Sequence, residues 1–432
     1  MKIKSFAAIV AVGAMALSAC TGGTTEPASD TNAGGETATG AIAGDITFQT
    51  WSLKNDRFTP YFEGVIADFT KQYPDVKVNW IDQPGDGYED KILQQANSNE
   101  LPDVINLPPE FAYKLAQVNM LKNLDGAEGA SVDDYVKGAE DAYMYPGMEG
   151  HYGYAWYLGT DLNWFNTKAL TDAGEDVTKL PDNLDDLFAM ANRVAEATNG
   201  EVKMISEVPR TGTLSSAGVK IFDEASGKFV FNTEDAVKVV QRYKDAYASG
   251  AMVPEALNAD YLGNSALYKA GKTAWTTASA GFASELETEA PTLLPDTVAT
   301  PRIGHAPLFI QGISVSANSK APEAALAFAQ FLTNDTNQVE FVKIAQGFFP
   351  GTQAANDNPS AFTDVITNEL QKTATEAAAS ALAEATPEYP IQFTYDMDTY
   401  LKQQMALAVK GDIEIQDALD KAVDYANQNL AQ

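Results

Sequence analysis

Segments of strand period alternating with segments of helix period predict an α/β protein, with helices packed on both faces of an open sheet. Two further observations shape that prediction. At 432 residues the chain is longer than one compact core of ordinary size, so two lobes are expected. From Thr373 onward it is rich in Ala and Glu, which predicts an almost wholly helical C-terminal part.

Each element has a local reason. Residues 45–51 set Ile46, Phe48 and Thr50 against polar neighbours, the alternation of a strand. Phe58, Phe62, Val65, Ile66, Phe69 and Tyr73 then recur at helical spacing. Pro74 ends that helix, and Val76, Val78 and Trp80 alternate as a second strand. A strand–helix–strand unit of this kind implies a parallel pair with a right-handed crossover. A helical segment near residues 88–96, an apolar strand over 104–107 and a helix from Glu110 through Leu115 follow. Farther on, residues 182–197 read as a helix opened by a capping Asp or Asn, and 235–249 as one closed by Gly250 in a left-handed cap. Residues 312–316 alternate as a strand, ahead of an Ala-rich helix over 322–332 that opens on a proline. No internal repeat of fixed period is visible.

Apolar residues make up 45% of the chain and charged residues 20%, the balance of a water-soluble fold. The formal charge is −30, and −32 once Lys2 and Lys4 are removed with the N-terminal segment. Such a surface repels nucleic acid and anionic lipid, so no nucleic-acid partner is expected. The first residues carry the strongest local signal. Lys2 and Lys4 precede an apolar run from Phe6 to Leu17, and Leu17-Ser18-Ala19-Cys20 closes it. Twelve residues are too few for a helix to span a hydrocarbon core of about 30 Å, so a cleavable signal over 1–19 fits better than an anchor. The four closing residues resemble a bacterial lipobox, which implies cleavage before Cys20 and a lipid on its thiol. Cys20 is the only cysteine, so no disulfide forms within the chain. Residues 20–44 are rich in Thr, Gly, Ala and acids, and read as a lipidated, flexible tether.

Several motifs fall short of chemistry. Gly271-Lys272-Thr273 lacks the earlier glycine of a phosphate loop, because Ala266 stands there. Asp82, Asp86, Glu89 and Asp90 lack calcium-loop spacing, and His151 and His305 have no partner at metal spacing. No Gly-x-Ser-x-Gly is present, and a lipidated cysteine offers no nucleophile. No metal, cofactor or catalytic residue is therefore expected. Composition alone leaves an exported glycosidase open, since 59 carboxylates could supply an acid–base pair.

Six blocks in order resemble the extracellular solute-binding proteins of carbohydrate ABC importers, the family that includes maltose-binding protein. They are Ile46-Thr47-Phe48-Gln49-Thr50-Trp51 with Phe69-Thr70-Lys71-Gln72-Tyr73-Pro74; Leu101-Pro102-Asp103-Val104 with Leu121-Lys122-Asn123-Leu124-Asp125; Trp164-Phe165-Asn166-Thr167-Lys168-Ala169-Leu170; Ala270-Gly271-Lys272-Thr273-Ala274-Trp275; Ser319-Lys320-Ala321-Pro322-Glu323-Ala324-Ala325; and Gly411-Asp412-Ile413-Glu414-Ile415-Gln416-Asp417-Ala418-Leu419. Two departures are Trp156-Tyr157-Leu158-Gly159-Thr160-Asp161, where the family often has a hinge proline, and Trp275 in place of a common Met.

The resemblance implies a two-lobed periplasmic-binding-protein-like fold, α/β in both lobes, joined by a multi-strand hinge and ending in a helical region. It places one lobe at 45–155 plus 309–349 and the other at 156–308 plus 350–432, with hinges near 154–157, 308–311 and 348–351. It implies a monomer held outside the membrane, with a carbohydrate ligand, an ABC permease as partner and no enzymatic activity. A polyamine, another cation or an iron complex on the same fold is the alternative cargo, iron being disfavoured by the few histidines. Sugar recognition asks for aromatic faces and planar polar side chains. The family draws such contacts from strand-end loops, which points to Trp51, Asn55 and Asp56 after the first strand, and to Glu110 and Phe111 after the third. Trp156, Tyr157 and Asp161 surround the first hinge, Phe348 flanks the last, Trp275 and Phe282 lie where a stacking aromatic is expected, and Tyr395 and Asp396 precede the final helix. Packing in the core is the competing role for Trp51, Trp275 and the other aromatics, and helix capping for Glu110.

Overall fold

The computed structural model describes residues 42–127, 129, 131–258 and 263–430. The signal segment, Cys20 and the tether through Ala41 lie outside the described residues. Eleven strands are seen among the described residues: β1 (Gly44–Trp51), β2 (Val76–Gln83), β3 (Val104–Leu107), β4 (Tyr154–Gly159), β5 (Asp161–Asn166), β6 (Phe222–Asp223), β7 (Lys228–Phe229), β8 (Trp275–Ser279), β9 (Thr297–Thr300), β10 (Phe309–Val315) and β11 (Phe349–Pro350). Six of them form one mixed sheet in the order β11-β4-β10-β3-β1-β2, and β8-β5-β9 form a second.

The expected strand–helix–strand opening is present. β1 pairs β2 in parallel, with Ile46 beside Val78 and Phe48 beside Trp80. The intervening helix, Thr59–Gln72, buries Tyr61, Phe62, Val65 and Phe69 on one face and carries a proline in its first turn. Rings of Phe48 and Phe69 meet Phe328 of the Pro322–Leu332 helix at 5.2 and 5.1 Å between centroids. Each such fully buried side chain contributes about 1.5–3 kcal/mol relative to exposure, so this aromatic seam anchors helix to sheet.

The sheet becomes antiparallel where later chain returns to it. β10 runs antiparallel to both β3 and β4, and β11 antiparallel to β4. Leu158 of β4 therefore lies between Ile310 and Phe349, with Tyr157 between Gln311 and Pro350. Only Thr160 separates β4 from β5, so the chain passes from the large sheet into the small one within a single residue. The β4–β10 register shifts between Gln311 and Gly312.

A second hydrophobic cluster gathers around Phe165, Leu187, Val240, Met252 and Leu419. Its helices carry the caps their sequences suggest. Asn183 accepts from the Asp186 amide ahead of Leu184–Ala197, Thr233 from Ala236 ahead of Glu234–Ala248, and Gly250 follows with φ +82°. The C-terminal part is largely helical, as expected, with one interruption. Glu369–Leu382 is followed by an irregular stretch through Thr394 before the helices Tyr395–Lys410 and Ile415–Gln428. Pro387 and Pro390 explain the break: each lacks an amide hydrogen and drives the preceding residue out of helical geometry. No helix among the described residues is long and apolar enough to cross a membrane.

Candidate ligand-binding cleft

The break in the helical tail helps form a cleft. A large cavity among the described residues has a volume of about 650 Å³. It is bounded by Pro108, Glu110 and Met144 from the large-sheet side, by Phe309 and Gln311 at the start of β10, and by Tyr389 from the irregular stretch. A recess of about 220 Å³ shares Ser215, Phe309, Glu388 and Tyr389 with it, and a smaller space of about 70 Å³ shares Glu110, Ile391 and Gln392. The three adjoin one another through these shared residues, and the main one is in the volume range of small-molecule sites.

Local structure aims the side chains. β3 ends at Leu107, and Pro108-Pro109 start the helix Pro109–Gln117, which sets Glu110 and Phe111 at the strand end. Phe309 opens β10 with 43% of its surface exposed, and Tyr395 opens its helix at 67%. Rings held this open in a concave site offer flat apolar faces. Tyr389 is half-buried, and burial beside Glu110 raises its hydroxyl well above the ordinary tyrosine range.

Charge concentrates in the recess. It holds Asp161, Glu207, Arg210, Arg302, His305 and Glu388. Arg210 forks onto Asp398, with Nε 3.1 Å from Oδ1 and Nη2 3.0 Å from Oδ2, and Lys402 reaches Asp398 Oδ2 at 3.2 Å. Burial opposes the Arg210 charge, but Asp398 and Glu388 hold it above the ordinary arginine range. Burial pushes the Asp161 carboxyl up to about 7, with Arg302 pulling down and Glu207 and Glu388 pushing up. The Glu207 carboxyl is raised for the same first reason. Burial likewise lifts Glu110 to about 7, its own backbone amide and Lys114 working the other way and Glu89 adding to the rise. His305 bonds Thr386 through Nε2, which ties the β9–β10 connection to the irregular stretch.

The residues expected from sequence separate into two groups. Glu110, Phe111, Asp161 and Tyr395 line the cleft. Trp51 is half-buried and packs on Tyr88 and Phe111, at 4.8 and 5.8 Å, one layer behind. Asn55 accepts from the Arg57 and Phe58 amides and shapes the turn into the Thr59–Gln72 helix, while Asp56 and Asp396 are exposed away from the cavities. Trp156 is fully buried against Phe341 and Phe62. Phe282 is fully buried between Trp164 and Tyr268, and Trp275 is buried with its Nε1 donating to Asn163 Oδ1 at 3.3 Å. Tyr157 and Phe348 pack on each other at 5.2 Å beside the paired strands. Sequence reasoning missed Phe309, Tyr389, Glu388, Glu207, Arg210 and Arg302. One usable signal existed: arginine occurs only five times, and two of the five meet here.

The family model described as bacterial extracellular solute-binding protein matches residues 55–339. The chain belongs to the bacterial extracellular solute-binding proteins. Solved structures of similar architecture place this solute-binding protein in the two-domain, mixed α/β fold of periplasmic binding proteins. A candidate oligosaccharide periplasmic-binding protein from Synechococcus sp. aligns with TM-score 0.77 and 24% identity, over 89% of this chain and 100% of its own. The GacH receptor of Streptomyces glaucescens, solved unliganded and with acarbose, gives 0.73 and 21% over 90% and 99%. An ABC substrate-binding protein from Listeria monocytogenes in complex with cycloalternan gives 0.73 and 20% over 89% and 98%. No curated protein matches this solute-binding protein in sequence comparison.

Proposed function

We propose that the chain captures a sugar or oligosaccharide in the cleft and delivers it unchanged to an ABC importer. The observation that carries this reading is the pairing of aromatic rings, Phe309 and Tyr395 exposed and Tyr389 half-buried, with half-buried carboxylates and guanidinium groups along the adjoining cavities. Aromatic faces cover the C–H surface of a pyranose, and planar charged groups satisfy its hydroxyls. The solved relatives bound to acarbose and cycloalternan support a carbohydrate cargo.

In this reading one lobe comprises 45–155 plus 309–349 and the other 156–308 plus 350–432. Cargo touching both lobes stabilises the closed form, which the permease distinguishes from the open one. Lipid on Cys20 holds the monomer at the outer face of the cell membrane. A thermal-shift screen of mono- and oligosaccharides on the full chain tests the core of the proposal: at least one sugar raises the unfolding temperature. Product analysis of the same mixtures should return the sugar intact. A cleaved product would make the chain a hydrolase instead.

A further inference from the structure

The two large parts of the cleft differ in chemistry. The main trough is walled mostly by apolar groups such as Pro109, Met144, Ile221, Phe309 and Pro390. The recess beyond Phe309 and Tyr389 has space for about one sugar ring and is walled by charge. There the charges do not balance. Arg210 is already committed to Asp398 by both arms of its fork. Asp161, Glu207 and Glu388 remain, and among the described residues none of their side chains makes a hydrogen bond or ion pair with another side chain. Arg210, Arg302 and Lys402 all act on Glu207, but Arg210 and Lys402 are engaged by Asp398, and Arg302 is the cation whose Nε is buried with no partner of its own.

A surplus of carboxylate over available guanidinium, partly withdrawn from water as here, is stabilised by an incoming cation. An anionic sugar such as a uronate would add to the surplus. A bare divalent ion does not fit either, because no group of three acidic, His or Cys side chains among the described residues converges closely enough to hold one. A ring that brings both a cation and hydroxyls meets every need: ammonium for the carboxylates, and an oxygen acceptor for Arg302 Nε.

We propose that this recess is the terminal subsite for a sugar ring bearing a basic nitrogen, so that the cargo is an amino-oligosaccharide whose remaining rings lie along the apolar trough. The inference rests on the sugar-binding reading above and narrows it. Phe309 and Tyr389, shared by trough and recess, sit at the junction and stack the ring next to the charged one.

The test is calorimetric titration of the full chain at pH 7 with matched pairs of saccharides. Each pair comprises a neutral mono-, di- or trisaccharide of glucose or galactose, α- or β-linked, and its analogue with an amino group in place of one hydroxyl. A charge-assisted hydrogen bond to a recess carboxylate predicts that the amino member of the best-binding pair is about 10- to 100-fold tighter. Glu388→Gln, on the irregular stretch, and Glu207→Gln should each narrow that gap, because loss of the charge takes more affinity from the amino member than from the neutral one. Equal or tighter binding of the neutral members would overturn the amino-sugar inference and leave sugar capture standing. Failure of every saccharide, or binding of spermidine alone, would overturn both.

Discussion

Tyr389 reaches the main trough and the charged recess from the same irregular stretch, so it is the single side chain on which the cleft depends most. Tyr389→Ala should weaken the best sugar about 10- to 100-fold, as loss of a stacking and hydrogen-bonding anchor does, and leave the unfolding temperature unchanged. Trp156→Ala should do the reverse. Its ring is enclosed by Phe62, Tyr157 and Phe341, and the cavity left behind costs about 3–5 kcal/mol, read by denaturant unfolding. Titration gives a third contrast. The folded-state value of Asp161 is raised to about 7 from 3.8, so its contribution to stability is full below pH 4 and is lost as the pH climbs through 7. The unfolding temperature of the unliganded protein should therefore fall between pH 5 and pH 8, and fall less in Asp161→Asn. A slope unchanged by that substitution would remove Asp161 as the source. The sequence could point to strand-end positions such as Glu110 and Phe111 because a strand end in an open α/β sheet is a definite place. It could not separate Trp156, Trp275 and Phe282, now in the core, from Phe309 and Tyr389, now in the cleft. An aromatic has the same local pattern whichever side its ring is covered from.

At the scale of elements, the opening strands, their helix and most caps were legible because their signals lie within a few residues of each other. Thr394 accepts from the Met397 amide and starts the helix that carries Tyr395 and Asp398. Thr394→Ala should lower stability by about 1 kcal/mol and loosen the Arg210–Asp398 fork, visible as weaker ligand binding. Gly347 has φ +96°, and a Cβ there would run into the Gly281 backbone. Gly347→Ala should thus destabilise by more than about 1 kcal/mol, measured by urea unfolding, since the side chain fits neither the torsion nor the space. The second sheet was opaque for the opposite reason. Asn163 pairs with Thr277 on one side and Thr300 on the other, contacts more than a hundred residues apart that leave no local period. The irregular stretch was hidden under an Ala- and Glu-rich average, although Pro387 and Pro390 were the clue to it.

For the whole molecule, the two-domain architecture was readable from length and from blocks spread along the chain, while the content of the cleft was not, because it assembles from residues near 110, 161, 210, 309 and 389 at once. Small-angle scattering should show the radius of gyration falling when a binding sugar is added, and an unaltered profile with bound sugar would exclude closure. The proposed closure would be shaped by β4, β10 and β11, which lie edge to edge in one hydrogen-bonded array. Three straps cross-linked in this manner act as a leaf spring: compliant to flexing across the flat of the ribbon, stiff to wringing along its length. In the proposed closure the jaws would travel on a single arc, and the angle at which they stop would gauge the thickness of whatever lies between them.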